Sequence, residues 1–206
     1  MSALSPEQLL TTTRSVRRRL DLERPVDAHV VRRCVEIATQ APTSVNTQHW
    51  HFLVVTDPEL RAGVAGWYRR AWSDYASTPL DAEPADEPPG AASSRHLARV
   101  LDRVPVLVIP CVEGRPEGQP NSELAALYGS VVQASWSFQL AARMHGLGSV
   151  FTTYHLDYEQ EVAQLLGIPF DEVTQVALIP VAHTIGSDFK QARRKPLDEV
   201  LHLDRW

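Results

Sequence analysis

A chain of 206 residues is long enough to bury one core of ordinary size and needs neither disulfide nor metal to hold it together. Its 20 Lys and Arg against 25 Asp and Glu give a formal net charge of -5 with both signs interspersed, which leaves no continuous basic face for nucleic acid or an anionic membrane. No stretch approaches the roughly 20 apolar residues of a membrane span, and the N-terminal segment lacks a secretory apolar region.

The elements follow in chain order. Ser5, Pro6 and Gln8 form a capping signature that opens a short helix to about Thr13, and the basic segment 14–19 follows it. A second helix starts at Asp27 and ends before Pro42, because Val30, Cys34, Ile37 and Ala41 make one apolar stripe. Residues 51–56 read as a buried strand, and Asp57-Pro58 starts another helix carrying Trp67, Tyr68, Trp72 and Tyr75, either core packing or part of a lid. Residues 77–90 are rich in Pro, Ala, Asp and Glu and poor in large apolar side chains, so a mobile excursion or lid is expected.

A strand over 104–112 comes next, with Pro105 and Pro110 expected near its ends or at a sheet edge. Asn121 or Ser122 caps a long helix to His145 that is apolar nearly all round, as in a core or subunit interface, and Gly146 closes it. Strands over 149–154 and 174–185 flank a helix begun by Asp157 and closed by Gly167; residues 187–206 form an extension. Cys34 and Cys111 lie in apolar runs as free, packed thiols, which points to a reducing cytoplasm.

Several groups carry possible chemistry. Arg14, Ser15, Arg17, Arg18 and Arg19 offer guanidinium forks beside a hydroxyl, which suits a phosphate or simply a solvated basic turn. Arg193, Arg194 and Lys195 carry the same ambiguity. The run Ala41-Pro42-Thr43-Ser44-Val45-Asn46-Thr47-Gln48-His49-Trp50 is dense in short donors and acceptors, beyond what a connector needs. Gly146-Leu147-Gly148-Ser149 matches no Rossmann or P-loop fingerprint; its glycines stop a helix or admit a close neighbour. His49 and His51 lack a third ligand at metal spacing, no nucleophile elbow exists, and neither cysteine has an activating context, so metal and hydrolase readings fall away.

Taken in order, Thr13-Arg14-Ser15-Val16-Arg17-Arg18, Pro25-Val26, the 41–50 run with Phe52, Gly146-Leu147-Gly148-Ser149 and residues 193–196 resemble the nitroreductase family of FMN proteins over nearly the whole chain. The resemblance implies an α+β fold: a central, mainly antiparallel sheet flanked by helices, in an intertwined homodimer whose C-terminal extensions embrace the partner. It implies that Arg14, Ser15 and Arg17 hold the FMN phosphate with Arg193 or Arg194. Thr43, Ser44, Asn46 and Gln48 would come from the other subunit toward the flavin, and backbone at Thr152 and Thr153 would lie at the N5 edge. Residues 181–184 depart from the Gly-x-Pro of many relatives. The activity implied is hydride transfer from NADPH or NADH through FMN to a nitroaromatic, quinone or similar acceptor by a ping-pong mechanism, with no obligatory side-chain acid. Rival readings are another FMN reaction such as enone reduction, an FMN-sequestering or regulatory protein, and a flavin-free structural dimer.

Overall fold

The computed structural model describes residues 4–76, 79–82 and 84–206, and its strands form one antiparallel sheet between two helical layers. In chain order the elements are α1 (Pro6–Thr12), β1 (Leu20–Asp21), α2 (Ala28–Ala38), β2 (Trp50–Val55), α3 (Pro58–Tyr75), α4 (Pro89–Val100), β3 (Val106–Glu113), α5 (Asn121–Met144), β4 (Leu147–Ser149), α6 (Glu159–Leu166), β5 (Val173–Gln175) and β6 (Ile179–Thr184). The sheet order is β1-β6-β3-β2, with β4 also on β6 and β5 also on β3.

Helix starts follow local chemistry. Ser5 caps α1 reciprocally with Gln8, and Asp27 and Asp57 cap α2 and α3 through side-chain oxygens. The long helix α5 departs from expectation: Pro120 stands at its N-cap and no side chain bonds there. Gly146 and Gly167 take left-handed φ values of 73° and 68° at helix ends.

Strand β3 is buried on both faces, which explains its unbroken apolar run. Val106 and Val108 pack with Val31, Cys34, Phe138 and Ala142 of α2 and α5, whereas Leu107, Ile109 and Cys111 pack with Val64, Tyr68, Leu97 and Val162 of α3, α4 and α6. Cys34 and Cys111 are both free and buried, and burial pushes their thiols up to about 11 and about 12.

Prolines decide where the strands differ from expectation. Pro110 stands inside β3 rather than at an end: Cys111 pairs with Gln175 and Val108 with Ile179, so Val176, Ala177 and Leu178 face only Ile109 and Pro110. The single strand expected over 174–185 is therefore split by a bulge where Pro110 has no N–H to give. Likewise β4 stops at Ser149, and only Thr152 bridges onward, to Leu178. The register from Ser149↔Val181 to Thr152↔Leu178 sets Val150 opposite Pro180, which cannot donate, so the expected 149–154 strand is interrupted.

Helix α4 is absent from the expected order. Its Leu97 and Ala98 are buried, and its arginines hold the described part of 77–90: Arg99 donates to the carbonyls of Leu80 and Ala82 at 2.6 and 2.9 Å, and Arg95 pairs with Glu87. Residues 77, 78 and 83 of that stretch lie outside the described residues. On α3, Tyr68 and Trp72 are core, Trp67 stacks on Tyr158, and Tyr75 is exposed. Among the described residues no helix is long and apolar enough to cross a membrane.

His155 is wholly buried with both ring nitrogens unpartnered, and burial lowers its pKa to about 3. A histidine depressed in the folded state costs stability as pH falls below its unfolded value, because only the unfolded chain takes the proton. Moving from pH 7 to pH 5 therefore removes about 2 kcal/mol through this residue. Urea unfolding of His155→Leu beside the parent at the two pH values checks this; parallel losses in the two proteins would refute it.

Candidate active site

The site begins where α1 ends. Thr13 leaves the helix in an extended conformation, and the chain docks on β4: Val16 donates to the Ser149 carbonyl at 2.9 Å and Ser15 bridges Ser149. Gly148 permits this approach. A Cβ on it would stand 2.7 Å from Thr184 Cγ2 and 2.9 Å from Val16 Cγ1, so the neighbour this glycine admits is the segment carrying Arg14 and Arg17.

With Val16 buried, Arg14 and Ser15 stand at the rim of a cavity of about 590 Å³, whose walls include Trp136, Gln139, Phe151 and Arg194. Arg14 is preset by backbone: Nη1 donates to Thr13 O at 2.9 Å, and Nη2 donates to Thr11 O at 3.0 Å and to Lys190 O at 2.6 Å. Arg14 and Arg194 thus meet from opposite ends of the sequence. Arg193 is exposed and does not line this cavity. Arg17 points toward α4, with Nη1 3.5 Å from Ser93 Oγ and a buried Nε that has no partner.

Thr152 is buried, its hydroxyl 2.9 Å from the Tyr68 hydroxyl. Its N–H already donates to Leu178 O at 3.0 Å, so of the two threonines proposed for a ring edge only Thr153, which is exposed, keeps that part open. Phe151, a wall of the cavity, directly precedes them.

The 43–48 loop lies elsewhere on the same chain. Ser44 N–H donates to Ser130 Oγ of α5 at 3.1 Å, Gln48 N–H donates to Thr43 Oγ1 at 3.2 Å, and Gln48 Nε2 donates to Asn46 Oδ1 at 3.2 Å. Val45, Asn46 and Gln48 have φ of 42°, 58° and 54°, and Val45 is 91% exposed, a costly backbone for a β-branched residue. The arginine cavity and this exposed polar loop are thus separate features of the chain, both bordering α5. His51 Nε2 lies 3.1 Å from Glu113 Oε1, an ordinary pair at the sheet edge.

Sequence reasoning missed Gln139 and Trp136. Gln139 is buried and donates to Ser149 Oγ at 3.2 Å, and the available signal was the row of polar side chains Ser135, Gln139 and Arg143 at i, i+4 spacing on α5.

The donor set suits a phosphorylated flavin. The cavity lies within the usual span for small-molecule sites, about 300–1,000 Å³. It offers two guanidiniums and a hydroxyl beside aromatic walls; Arg17 is not among those walls, and its buried Nε is left without an acceptor.

An α+β fold with a cavity lined by two arginines, a serine and aromatic side chains is what these observations define. Residues 10–183 match the profile of the Nitroreductase family, and the chain belongs to that family. A Methanothermobacter thermautotrophicus protein provisionally named NADH dehydrogenase/NAD(P)H nitroreductase is 26% identical, covering 100% of this chain and 90% of its own. The FMN and NADPH-dependent nitroreductase NfnB from Sphigopyxis sp. strain HMH superposes at a TM-score of 0.72 with 22% identity, over 98% of this chain and 100% of its own. Iodotyrosine deiodinase bound to FMN and 3-iodo-L-tyrosine superposes at 0.70 with 21% identity, over 97% and 98%. At such identity the structural likeness bears on the fold.

Proposed function

We propose that the chain works as a homodimer whose arginine cavity holds FMN and whose substrate is a nitroaromatic, quinone or similar organic acceptor. The observation that carries this is the convergence of Arg14, Ser15 and Arg194 on one cavity bordered by Phe151. FMN, when bound, supplies the hydride relay from NADPH or NADH to the acceptor. The chain's own part is to bind and orient: Arg14, Ser15 and Arg194 take the phosphate, and Arg17 supplies the unpaired Nε. Arg193 stays with the solvated surface.

The second half of the site comes from the partner in this reading. Val132 and Trp136 of α5 are each 41% exposed and Met144 is 63% exposed, an apolar stripe at helical spacing beside the cavity. Leu203 and Trp206 of the extension are exposed as well. Pairing through α5 brings the partner's 43–48 loop, with Thr43, Ser44, Asn46 and Gln48, to the cavity, and the extension covers the stripe. A single open face visited in turn gives ping-pong turnover.

The visible spectrum tests the reading. The protein purified without added cofactor is expected to be yellow, or to become so with FMN, and to bleach within seconds under anaerobic NADPH or NADH. A colourless protein that FMN cannot reconstitute would refute it, and a yellow one that neither nicotinamide bleaches would leave a flavin-sequestering protein.

A further inference from the structure

Beyond Ile185 the chain leaves the sheet, and its first residues are held by three arginines, two from the 14–19 segment and one from α5. Phe189 packs against the core, with Arg19 Cζ 4.3 Å and Arg143 Cζ 4.4 Å from its ring centroid. Arg19 Nη2 also donates to Asp188 Oδ1 at 2.6 Å, and Arg143 Nη2 donates to Ser187 O at 3.3 Å. The next residue, Lys190, presents its carbonyl to Arg14 at 2.6 Å. Two and four residues further on, Ala192 and Arg194 line the arginine cavity.

This arrangement is unlike an ordinary ion-pair surface. Arg143 is buried, its Nε has no partner, and burial together with Arg19 lowers its pKa, so two cations are held close together at a cost. The aromatic face of Phe189 is the group that both share, and the ring quadrupole offsets part of that cost. The ring therefore fixes the start of the extension, and the short span to Arg194 limits where that guanidinium can stand.

We propose that Phe189 is a positioning residue for the phosphate end of the cavity: held by Arg19 and Arg143, it sets the Lys190 carbonyl that orients Arg14 and delivers Arg194 to the same anion. Phe189 itself does not line the cavity. The inference rests on the FMN reading above and adds to it that phosphate recognition depends on the root of the extension.

Riboflavin, which has the same ring and lacks the phosphate, separates this role from general support. Flavin fluorescence titrations of full-length Phe189→Ala are expected to show FMN binding weakened about tenfold, the size of losing two partly desolvated cation–π contacts, with riboflavin binding within about twofold of the parent. Phe189→Tyr keeps the ring and is expected to restore FMN affinity, which guards against a variant that is merely misfolded. Equal losses for FMN and riboflavin, or no loss for either, would overturn the proposal while leaving the parent an FMN protein. A parent that binds neither flavin would overturn the FMN reading, and this proposal with it.

Discussion

Arg14→Ala is expected to bind FMN about 100-fold more weakly than the parent, and Arg194→Ala about tenfold, since a hydrogen bond to a charged group contributes about 1.5–3 kcal/mol. Arg14 stands at the upper end because three backbone carbonyls, those of Thr11, Thr13 and Lys190, fix its guanidinium before any ligand arrives. Little side-chain freedom is then left to lose on binding. Arg194 lies on an exposed segment and must be ordered each time, so it contributes less. Parent affinity should also fall with added salt more steeply than that of Arg14→Ala, because the missing charge no longer needs screening. Fluorescence titrations at two ionic strengths read both effects. Unchanged affinity in Arg14→Ala would return the arginines to a solvated turn.

Gly148→Ala is expected to damage stability and cofactor binding together. The new methyl meets Thr184 Cγ2 on one side and Val16 Cγ1 on the other, each under 3.0 Å from the ideal position, so the Arg14–Arg17 segment must lift from β4 or β4 must shift from β6. Overpacking of this kind costs about 1–3 kcal/mol, a fall of roughly 2–12 °C in Tm for a chain of this size. Lifting Val16 also breaks its bond to the Ser149 carbonyl and moves Arg14 with it. The second-site change Val16→Ala removes one clashing group and should recover part of the Tm. A melting curve for Gly148→Ala that overlays the parent's would show that the strand absorbs the methyl, and the tight-approach argument would fail.

The parts legible in the sequence were those written in local chemistry. Ser5 with Gln8, Asp27, Asp57 and Gly167 mark helix ends by groups that satisfy nearby backbone, so neighbours in sequence suffice to read them. The fully buried β3 was legible for the same reason, as a run with nothing polar to expose. Helix α4 was not, because PGAASSRHLARV carries only two large apolar residues, Leu97 and Val100, and its arginines are held from outside the helix, by Glu87 and the carbonyls of Leu80 and Ala82. The strand breaks at Pro110 and Pro180 depend on which residue lies opposite each proline, a matter of register that sequence spacing does not carry.

The candidate site divides similarly. Arg14, Ser15, Arg17 and the 43–48 loop stood out by residue type, and Arg194 stood out only as one of a basic pair. That Arg194 and not Arg193 reaches the cavity follows from the path of the extension, which the anchoring near Phe189 decides. Gln139 was passed over because α5 is mostly apolar in composition, and the polar row it forms with Ser135 and Arg143 shows only when the helix is wound at i, i+4 spacing.

The two thiols have a use unconnected with chemistry at the cavity. Cys34, on the buried face of α2, and Cys111, on β3 facing α3 and α6, lie on opposite sides of the sheet, and both are protonated and shut away from solvent. A thiol reagent can reach either only when the layer above it opens. The chain thus carries two independent clocks, and their labelling rates report how often each helical layer peels from the sheet.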